Sequence, residues 1–333
     1  MAQSSDVSEF ELISRFFSRA PHKDSGVILG VGDDAALLDV PPGMDLVAAV
    51  DTIVAGRHFP EGSEARSIGH RALAVNLSDM AAMGATPRWA TLALTMPQAQ
   101  SGWLADFCAG FFALADAHGV TLVGGDTTGG PLTVSVQILG HVPRGTALRR
   151  DGAQVGDLLV VSGTLGDAGA GLALRGAGAA TTSRDADELI RRFDYPTPRV
   201  ELGIAARGIA TAAMDLSDGL VGDLPKLARA SGVAAHVAVE RLPQSQALRA
   251  VAGIEQARHW ALAAGDDYEL LLAVPPRRLD ALEAAADQLN LTLSSIGELR
   301  SGGGTTWSLN GKDFLPNASG YDHFGRASTR ITV

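Results

Sequence analysis

The sequence contains few of the residues that mark several common kinds of protein. One cysteine, Cys108, occurs in 333 residues, which excludes an internal disulfide and a cysteine metal cluster. In its helical context Cys108 is expected to pack as a small apolar side chain rather than to react. There are only three lysines, Lys23, Lys226 and Lys312, and none lies inside the acidic motifs described below. A phosphate held among those carboxylates would need another source of positive charge.

Long apolar runs are also absent. No stretch approaches the roughly 20 apolar residues that span a bilayer, and residues 1 to 9 lack the basic start and apolar core of a secretory signal. We therefore expect a soluble, cytoplasmic protein with no membrane partner. The formal net charge of −10 argues against nucleic acid as a ligand, because a phosphate backbone is bound by a basic surface.

Several familiar site motifs are missing as well. The sequence has no G-x-x-x-x-G-K-[ST], no H-E-x-x-H and no D-x-[DN]-x-[DN]-G, which argues against a P-loop, a zinc-protease site and a calcium loop. Residues 160 to 169 suggest a strand followed by a glycine turn, but the glycine spacing misses G-x-G-x-x-G. We interpret that segment as a tight turn at the start of a domain.

The length exceeds what one hydrophobic core usually serves, so two domains are expected. The predicted fold class is α+β, with an N-terminal α/β domain containing a mixed sheet and a C-terminal α/β domain. Apolar periodicity stops near Pro143 to Gly156, which places the boundary at 147 and gives domains of residues 1–147 and 148–333. The periodicity predicts helices at 8–19, 67–83, 103–117, 187–193, 199–207, 218–230 and 276–289, and strands at 46–50, 89–95, 120–123, 132–142, 158–161, 210–214, 233–239, 268–274 and 292–297.

Six short acidic signatures occur at positions where we expect apolar runs to break into turns or helices. Such positions at the ends of strands are where active sites collect. The signatures are Gly32-Asp33-Asp34, Asp51-Thr52, Asn76-Leu77-Ser78-Asp79, Gly124-Gly125-Asp126-Thr127-Thr128, Asp215-Leu216-Ser217-Asp218-Gly219 and Gly265-Asp266-Asp267-Tyr268-Glu269.

Carboxylates in turns suit magnesium, which takes oxygen ligands and is often held by one or two carboxylates plus substrate phosphates. Singly, each signature has a simpler explanation. Asp79 could be a surface acid, although apolar residues surround it, and Asp218 could cap the helix that follows. Together the six favour a site for metal and polyphosphate, because clustered carboxylates repel unless cations accompany them. His58, seven residues after Asp51, could face an anionic substrate or could pack beside Phe59.

The motifs resemble those of the thiamine-monophosphate kinase family, in order from about residue 10 to 324. The similarity is carried by the acidic signatures in the forms Asn-Leu-Ser-Asp and Asp-Leu-Ser-Asp-Gly, by Asp51-Thr52-Ile53-Val54-Ala55-Gly56-Arg57-His58-Phe59 and by Gly320-Tyr321-Asp322-His323-Phe324. That family shares its fold and its use of ATP with aminoimidazole ribonucleotide synthetases and selenophosphate synthetases. The forms Asn-Leu-Ser-Asp and Asp-Leu-Ser-Asp-Gly, with His58 in place, point to the thiamine enzymes rather than to those relatives.

The resemblance implies transfer of the γ-phosphoryl group of ATP to the phosphate of thiamine monophosphate, with thiamine diphosphate as the product. It also implies several Mg²⁺ ions and a homodimer joined through the N-terminal domains, with no dedicated general base. The implied site residues are Asp34, Asp51, Asp79, Asp126, Asp215 and Asp218 for metal, Gly125, Arg150 and Ser217 for ATP, and His58, Asp266 and Tyr321 for the thiamine substrate. Many members of the family have Glu where this chain has Asp266.

Two other hypotheses stay open at this point. One is ATP-dependent synthesis of a different metabolite by a member of the same superfamily. Selenophosphate synthesis typically uses a reactive Cys or selenocysteine in a glycine-rich N-terminal segment, whereas Cys108 lies in no such segment. The other is a non-catalytic scaffold that binds nucleotide or metal, which would show metal-dependent stability without turnover.

Overall fold

The structure is a computed structural model that describes residues 9–176 and 183–317, with residues 9 and 10 described as backbone only. The chain divides into two compact units. The first comprises the described residues up to Asn76 together with Pro87–Arg144, and the second comprises Leu77–Thr86 together with the described residues from Gly145 onward. No helix among the described residues is long and apolar enough to cross a membrane.

The first unit is built around a four-stranded sheet with the strand order β3-β6-β4-β5. Strands β3 and β6 pair antiparallel, whereas β4 and β5 pair parallel through the crossover helix α3, so the sheet is mixed as the sequence predicts. The elements from the start of the description to the end of this sheet are α1 (Glu9–Leu12), a π-helical continuation (Ile13–Phe17), β1 (Val27–Leu29), β2 (Leu37–Leu38), β3 (Met44–Val54), α2 (Ala65–Ala82), β4 (Thr86–Met96), α3 (Ser101–Ala117), β5 (Thr121–Gly129) and β6 (Thr133–Pro143).

Alternation along β6 explains how the sheet acquires a buried face. Val134, Val136 and Ile138 are at most 1% exposed, and each is separated from the next by one residue, which is the period of a strand with one face in the core. Two helices of this unit cross very closely where each carries a glycine. A Cβ atom at Gly69 of α2 would overlap the carbonyl group of Phe107 on α3, and one at Gly110 of α3 would overlap the carbonyl group of Arg66. These glycines permit the close approach.

The second unit contains a seven-stranded sheet with the order β13-β12-β9-β11-β7-β10-β8. Among the described residues, its neighbouring strands pair antiparallel except β12 with β9, which pair parallel. Its elements after residue 145 are β7 (Leu158–Ser162), α4 (Asp167–Gly176), α5 (Arg184–Asp194), α6 (Val200–Ala206), β8 (Ala212–Asp215), α7 (Leu220–Ser231), β9 (Ala234–Ala238), a 3₁₀ turn (Val239–Arg241), α8 (Gln246–Ala263), β10 (Leu270–Val274), a 3₁₀ turn (Pro276–Arg278), α9 (Leu279–Gln288), β11 (Leu293–Arg300), β12 (Thr305–Leu309) and β13 (Lys312–Phe314).

The core of the second unit lies against the central strands of this sheet. Every residue of β10 is buried, and Leu159 on β7 and Ile296 on β11 are fully enclosed. A continuous apolar strand of this kind is typical of a sheet covered on both faces. The predicted fold class, α+β with an N-terminal α/β domain containing a mixed sheet and a C-terminal α/β domain, is therefore confirmed.

Candidate active site

The predicted metal ligands of the first unit are Asp34, Asp51 and Asp126, and they lie on three different elements. Asp34 is exposed in the loop between β1 and β2, where its backbone N–H donates to Asp33 Oδ1 at 2.8 Å. Asp51 lies within β3, opposite Val136 of β6, and its N–H donates to Asn76 Oδ1 at 3.1 Å. The expectation that the strand ends at Val50 is wrong, because pairing with β6 continues to Val54.

The glycine-rich signature at 124–128 is also part of a strand. The sequence suggests a turn, but β5 extends to Gly129 because its backbone pairs in parallel with β4, with Asp126 opposite Ala93. Gly125 has φ +150°, and a Cβ there would overlap the backbone of Leu92, so glycine is needed for the two strands to approach. Asp126 itself is exposed.

Asp51 and Asp126 do not come together within the first unit. They lie on β3 and β5, the two outer strands of the sheet, with β6 and β4 between them. At a strand spacing of about 4.8 Å, β3 and β5 therefore lie roughly 14 Å apart measured across the sheet.

In the second unit, two of the acidic signatures meet directly. Asp215 is the last residue of β8, is 5% exposed, and accepts a hydrogen bond from Ser78 Oγ at 2.8 Å. Ser78 precedes Asp79 on α2, so the Asn-Leu-Ser-Asp and Asp-Leu-Ser-Asp segments are in contact through this bond. No role was assigned to Ser78 from the sequence, and its only signal is its place inside the first of the two similar segments.

Asp223 organises the turn that follows β8. Its Oδ2 accepts the N–H groups of Ser217 at 3.0 Å and Asp218 at 2.9 Å, and the helix α7 then begins after Gly219. Neither Ser217 nor Asp218 caps α7 with its side chain, so the capping explanation for Asp218 is wrong. Burial raises the pKa of Asp223, and the hydrogen bond from Lys226 opposes that shift.

Lys226 brings a positive charge into this signature. Its Nζ lies 2.6 Å from Asp218 Oδ2 and 2.9 Å from Asp223 Oδ1. Burial lowers the pKa of Lys226, but the hydrogen bonds to Asp218 and Asp223 outweigh burial and leave that pKa raised. All three lysines lie outside the signatures in the sequence. In the structure, the helical turn from Asp223 to Lys226 places the Lys226 ammonium beside the Asp218 carboxylate. The i, i+3 spacing of Asp223 and Lys226 is the signal that could have revealed it.

If Asp218 holds magnesium, as the sequence predicts, that ion would compete with the Lys226 ammonium for the carboxylate. We therefore expect Lys226→Met to lower the Mg²⁺ concentration that gives half-maximal activity by about two- to fivefold, since removing a like charge beside a cation site favours the cation. A magnesium titration of both proteins at saturating ATP measures this. An unchanged or higher magnesium requirement would remove Asp218 from the set of metal ligands.

The loop that carries Asp266 is joined to the loop that carries Asp218. Three backbone hydrogen bonds of 2.9–3.0 Å link residues 215–218 to residues 265–269, and we call this arrangement the loop ladder. The bonds are Leu216 N–H to the Glu269 carbonyl, Tyr268 N–H to the Leu216 carbonyl and Asp266 N–H to the Ser217 carbonyl. The ladder continues the antiparallel pairing of β8 with β10 beyond the ends of both strands. It therefore fixes Ser217, Asp218 and Asp266 relative to one another.

Asp267 points into the second unit and holds the start of α4. It is 4% exposed, and its two carboxylate oxygens accept the N–H groups of Gly166 at 2.6 Å and Ala168 at 3.1 Å. Burial raises the pKa of Asp267 to about 8, although the Gly166 N–H and the Arg192 charge act in the opposite direction.

This raised pKa predicts a pH-dependent contribution to stability. The folded state favours the protonated form, so the contribution is full below the unfolded pKa of about 4 and disappears as the pH rises through about 8. We expect the difference in free energy of unfolding between the unaltered protein and Asp267→Asn to change between pH 5 and pH 9, with the unaltered protein losing more stability as the pH rises. Urea unfolding of both proteins across that range measures it. A difference that stays constant, or that grows in favour of the unaltered protein at high pH, would contradict the expectation.

Three further predicted site residues differ in their surroundings. His58 is half-buried, and its Nδ1 accepts the N–H of Val54 at 3.0 Å, which leaves the ring proton of neutral His58 on Nε2. Arg150 is exposed, and its carbonyl accepts a hydrogen bond from Ser231 Oγ at 2.7 Å. Tyr321 lies outside the described residues.

The predicted metal ligands are all carboxylates, and hard oxygen donors are what Mg²⁺ prefers. Across residues 9–176 and 183–317, no three side chains of His, Cys, Asp or Glu are grouped as a metal-binding cluster. Magnesium in phosphoryl-transfer sites is commonly held by one or two carboxylates, with phosphate oxygens and water as the other ligands. Carboxylate donors of this kind fit magnesium.

Comparison with known proteins identifies relatives of both units. The family model described as AIR synthase related protein, N-terminal domain, matches residues 32–142, and the model of the corresponding C-terminal domain matches residues 154–309. Thiamine-monophosphate kinase of Salmonella typhimurium is 44% identical over 318 residues, covering 95% of this chain and 98% of its own length.

Solved structures agree with these sequence matches. The crystal structure of thiamine-monophosphate kinase from Stenotrophomonas maltophilia K279a is 48% identical with a TM-score of 0.83, covering 88% of this chain and 93% of the other. The structure of AaThiL complexed with AMPPCP and TMP is 31% identical with a TM-score of 0.76, covering 86% of this chain and 89% of the other.

Proposed function

Because the chain belongs to the thiamine-monophosphate kinase family of AIR synthase related proteins, we propose that it phosphorylates thiamine monophosphate with ATP in the cytoplasm. The similarity of nearly the whole chain to kinases of this name carries the proposal. It is supported by the likeness to a structure that holds AMPPCP and TMP.

The chemistry of the reaction suits the residues of the site. An oxygen of the substrate phosphate attacks the γ-phosphorus of ATP, the bond from that phosphorus to the β,γ-bridging oxygen breaks, and ADP leaves with the electron pair. The attacking oxygen is already ionised near neutral pH, so no side chain has to remove a proton. The protein has to position two anions and offset their repulsion. A site rich in Asp, with one Lys and without a dedicated base, meets those needs.

We assign the residues as follows. Asp34, Asp51, Asp79, Asp126, Asp215 and Asp218 hold magnesium, which when bound neutralises phosphate charge. Gly125, Arg150 and Ser217 contact ATP, and His58, Asp266 and Tyr321 contact the thiamine substrate. The burial of Asp215 against Ser78 and the fixed backbone of Ser217 and Asp266 support the assignments in the second unit.

A homodimer is part of the proposal. Large apolar side chains stand exposed on the first unit, and a contiguous exposed patch of such groups marks an interaction site. Leu46 and Val50 on β3 are 53% and 63% exposed, and Ile28 and Leu37 on β1 and β2 are 70% and 55% exposed. A second copy of the chain is the partner that the family resemblance implies. Sedimentation of the unaltered protein should show a dimer, and Leu46→Glu with Val50→Glu should give a monomer. A monomeric unaltered protein would rule the dimer out.

The reaction itself is tested with a panel of acceptors. The purified protein is incubated with ATP and thiamine monophosphate, or with selenide, in the presence of magnesium or excess chelator, and the products are separated by chromatography. We expect thiamine diphosphate only with thiamine monophosphate and magnesium. ATP binding without that product would favour another acceptor of the same superfamily chemistry or a non-catalytic scaffold.

A further inference from the structure

A buried ionic cluster lies directly behind the loop ladder. Glu269 is fully buried, and its carboxylate accepts Arg199 Nε at 2.7 Å, Arg199 Nη2 at 2.5 Å, Arg192 Nη2 at 3.0 Å and Ser162 Oγ at 2.6 Å. We call Glu269, Arg192, Arg199 and Ser162 the anchor cluster. A carboxylate so completely removed from water is tolerated only when charged donors surround it, as they do here.

Both arginines come from the helical segment between the two strands β7 and β8. Arg192 lies in the last turn of α5, and Arg199 immediately precedes α6. Their side chains are only 13% and 18% exposed, and Arg199 binds Glu269 through two nitrogens. Burial opposes the charge on Arg192, but Glu269 and then Asp267 and Asp167 keep its pKa raised. Arg192 and Arg199 thus hold the Glu269 carboxylate with charged groups that are largely shielded from water.

The anchor cluster connects to the substrate loop through the backbone. Glu269 is the residue before β10, and its carbonyl accepts the Leu216 N–H, which is the first bond of the loop ladder. Ser162 Oγ also accepts the N–H of Leu270 at 2.9 Å, so the chain is held on both sides of Glu269. A shift of the Glu269 side chain would therefore move the ladder.

Backbone strain makes the loop depend on this support. Asp266 and Tyr268 have φ values of +70° and +52°, a left-handed region that is unfavourable for a non-glycine residue and persists only where the surroundings enforce it. The two residues flank Asp267, whose carboxylate is fixed on Gly166 and Ala168. The buried side chains of Asp267 and Glu269 therefore hold the strained backbone of residues 266–268 in place.

The neighbouring loop has supports of its own. Residues 215–218 are held by Ser78 on Asp215 and by Asp223 on the N–H groups of Ser217 and Asp218. Loss of the anchor cluster should therefore disturb Asp266 more than it disturbs Asp215, Ser217 or Asp218.

We infer that Arg192 and Arg199 are positioning residues for the transfer reaction, because they fix Glu269 and thereby set the strained backbone that presents Asp266 to the substrate. This inference rests on the proposed function. It adds to the site two arginines that are not assigned to contact either substrate. It predicts that their replacement weakens binding of thiamine monophosphate more than binding of ATP.

The test compares Arg199→Lys with Arg175→Lys. Arg175 of α4 forms an ion pair with the buried Asp194 of α5, in the same helical region but outside the loop ladder, so it controls for the loss of a guanidinium beside a buried carboxylate. The KM for each substrate, kcat, calorimetric binding of thiamine monophosphate and the Tm are measured for both variants. Arg199→Lys should raise the KM and the Kd for thiamine monophosphate about tenfold, with the KM for ATP changed less than about twofold. Arg175→Lys should leave all of these constants near those of the unaltered protein.

A readout independent of turnover separates this inference from the proposed function. Hydrogen exchange of the Asp266 and Tyr268 amides, whose acceptors are in the ladder, should become faster in Arg199→Lys and should stay unchanged in Arg175→Lys. If Arg199→Lys is poorly folded, Arg192→Lys replaces it with the same expectations, because Arg192 donates one hydrogen bond to Glu269 where Arg199 donates two.

The outcomes of these measurements decide separately whether the arginines position the loop and whether the protein is the proposed kinase. A lowered Tm in Arg199→Lys with unchanged exchange and an unchanged KM for thiamine monophosphate would show a purely structural role and overturn the inference. Equal increases in both KM values would also overturn it. An unaltered protein that makes no thiamine diphosphate would refute the proposed function, while the exchange comparison would still decide whether the arginines set the loop.

Discussion

Asp215→Asn is expected to lower kcat/KM for thiamine monophosphate by roughly 10²–10³-fold, the loss typical when one group that stabilises transition-state charge is removed. Asp215 is buried at the end of β8 and accepts a hydrogen bond from Ser78. Asparagine has the same shape and can still accept that bond, but it carries no charge with which to hold magnesium. The fold should persist, and the loss should appear mainly in turnover.

Asp157→Asn provides the matched control. Asp157 is a carboxylate that is 3% exposed, and it accepts hydrogen bonds from Thr211 Oγ1 and from the Gln154 N–H near the start of β8, whereas Asp215 lies at the end of that strand. Its replacement should reduce the Tm without a comparable loss of kcat/KM. Near-normal kcat/KM in Asp215→Asn, or equal losses in both variants, would contradict the proposed metal-binding role of Asp215.

Glu269→Gln should produce the largest loss of stability of the substitutions considered, about 3–5 kcal/mol in the free energy of unfolding. The substitution leaves Arg192 and Arg199 buried with only a neutral amide between them. The cost arises from those uncompensated charges rather than from lost packing, because Gln and Glu are nearly the same size. Urea unfolding at neutral pH measures the change.

Glu298→Gln is the control for an ion pair at the surface. Glu298 pairs with Arg300 at 2.9 Å, but the two side chains are 49% and 51% exposed, so its loss should cost at most about 1 kcal/mol. If Glu269→Gln costs no more than this control, Glu269 is not the centre of an essential buried cluster.

Local sequence patterns predicted most of the elements because their apolar periodicity is strong. The helix predicted at 67–83 is observed as α2 at Ala65–Ala82, and the strand predicted at 158–161 is observed as β7 at Leu158–Ser162. Helix α8 was missed, since no element was predicted between 240 and 267. Gly253, with φ +72°, interrupts its pattern, and exposed Val251 and Ile254 obscure the buried face that Leu248 and Trp260 form.

The acidic signatures could be located from the sequence, but the contacts that connect them could not. The extension of β3 past Asp51 and of β5 past Val123 depends on partner strands that the local pattern does not reveal. Glu269 meets Arg199 and Arg192 across 70 and 77 residues of sequence, a contact that requires the order of the sheet. The Ser78–Asp215 hydrogen bond joins residues 137 positions apart, so the local sequence pattern could not reveal it either.

Transfer of label from [γ-³²P]ATP tests the central claim most directly. The protein is incubated with labelled ATP, thiamine monophosphate and magnesium, and thiamine diphosphate is isolated and treated to release its terminal phosphate. Direct transfer predicts that the label enters thiamine diphosphate at its terminal phosphate, one for each ADP formed, and that chelator and Asp215→Asn both suppress it. Labelled inorganic phosphate without labelled thiamine diphosphate would contradict the claim.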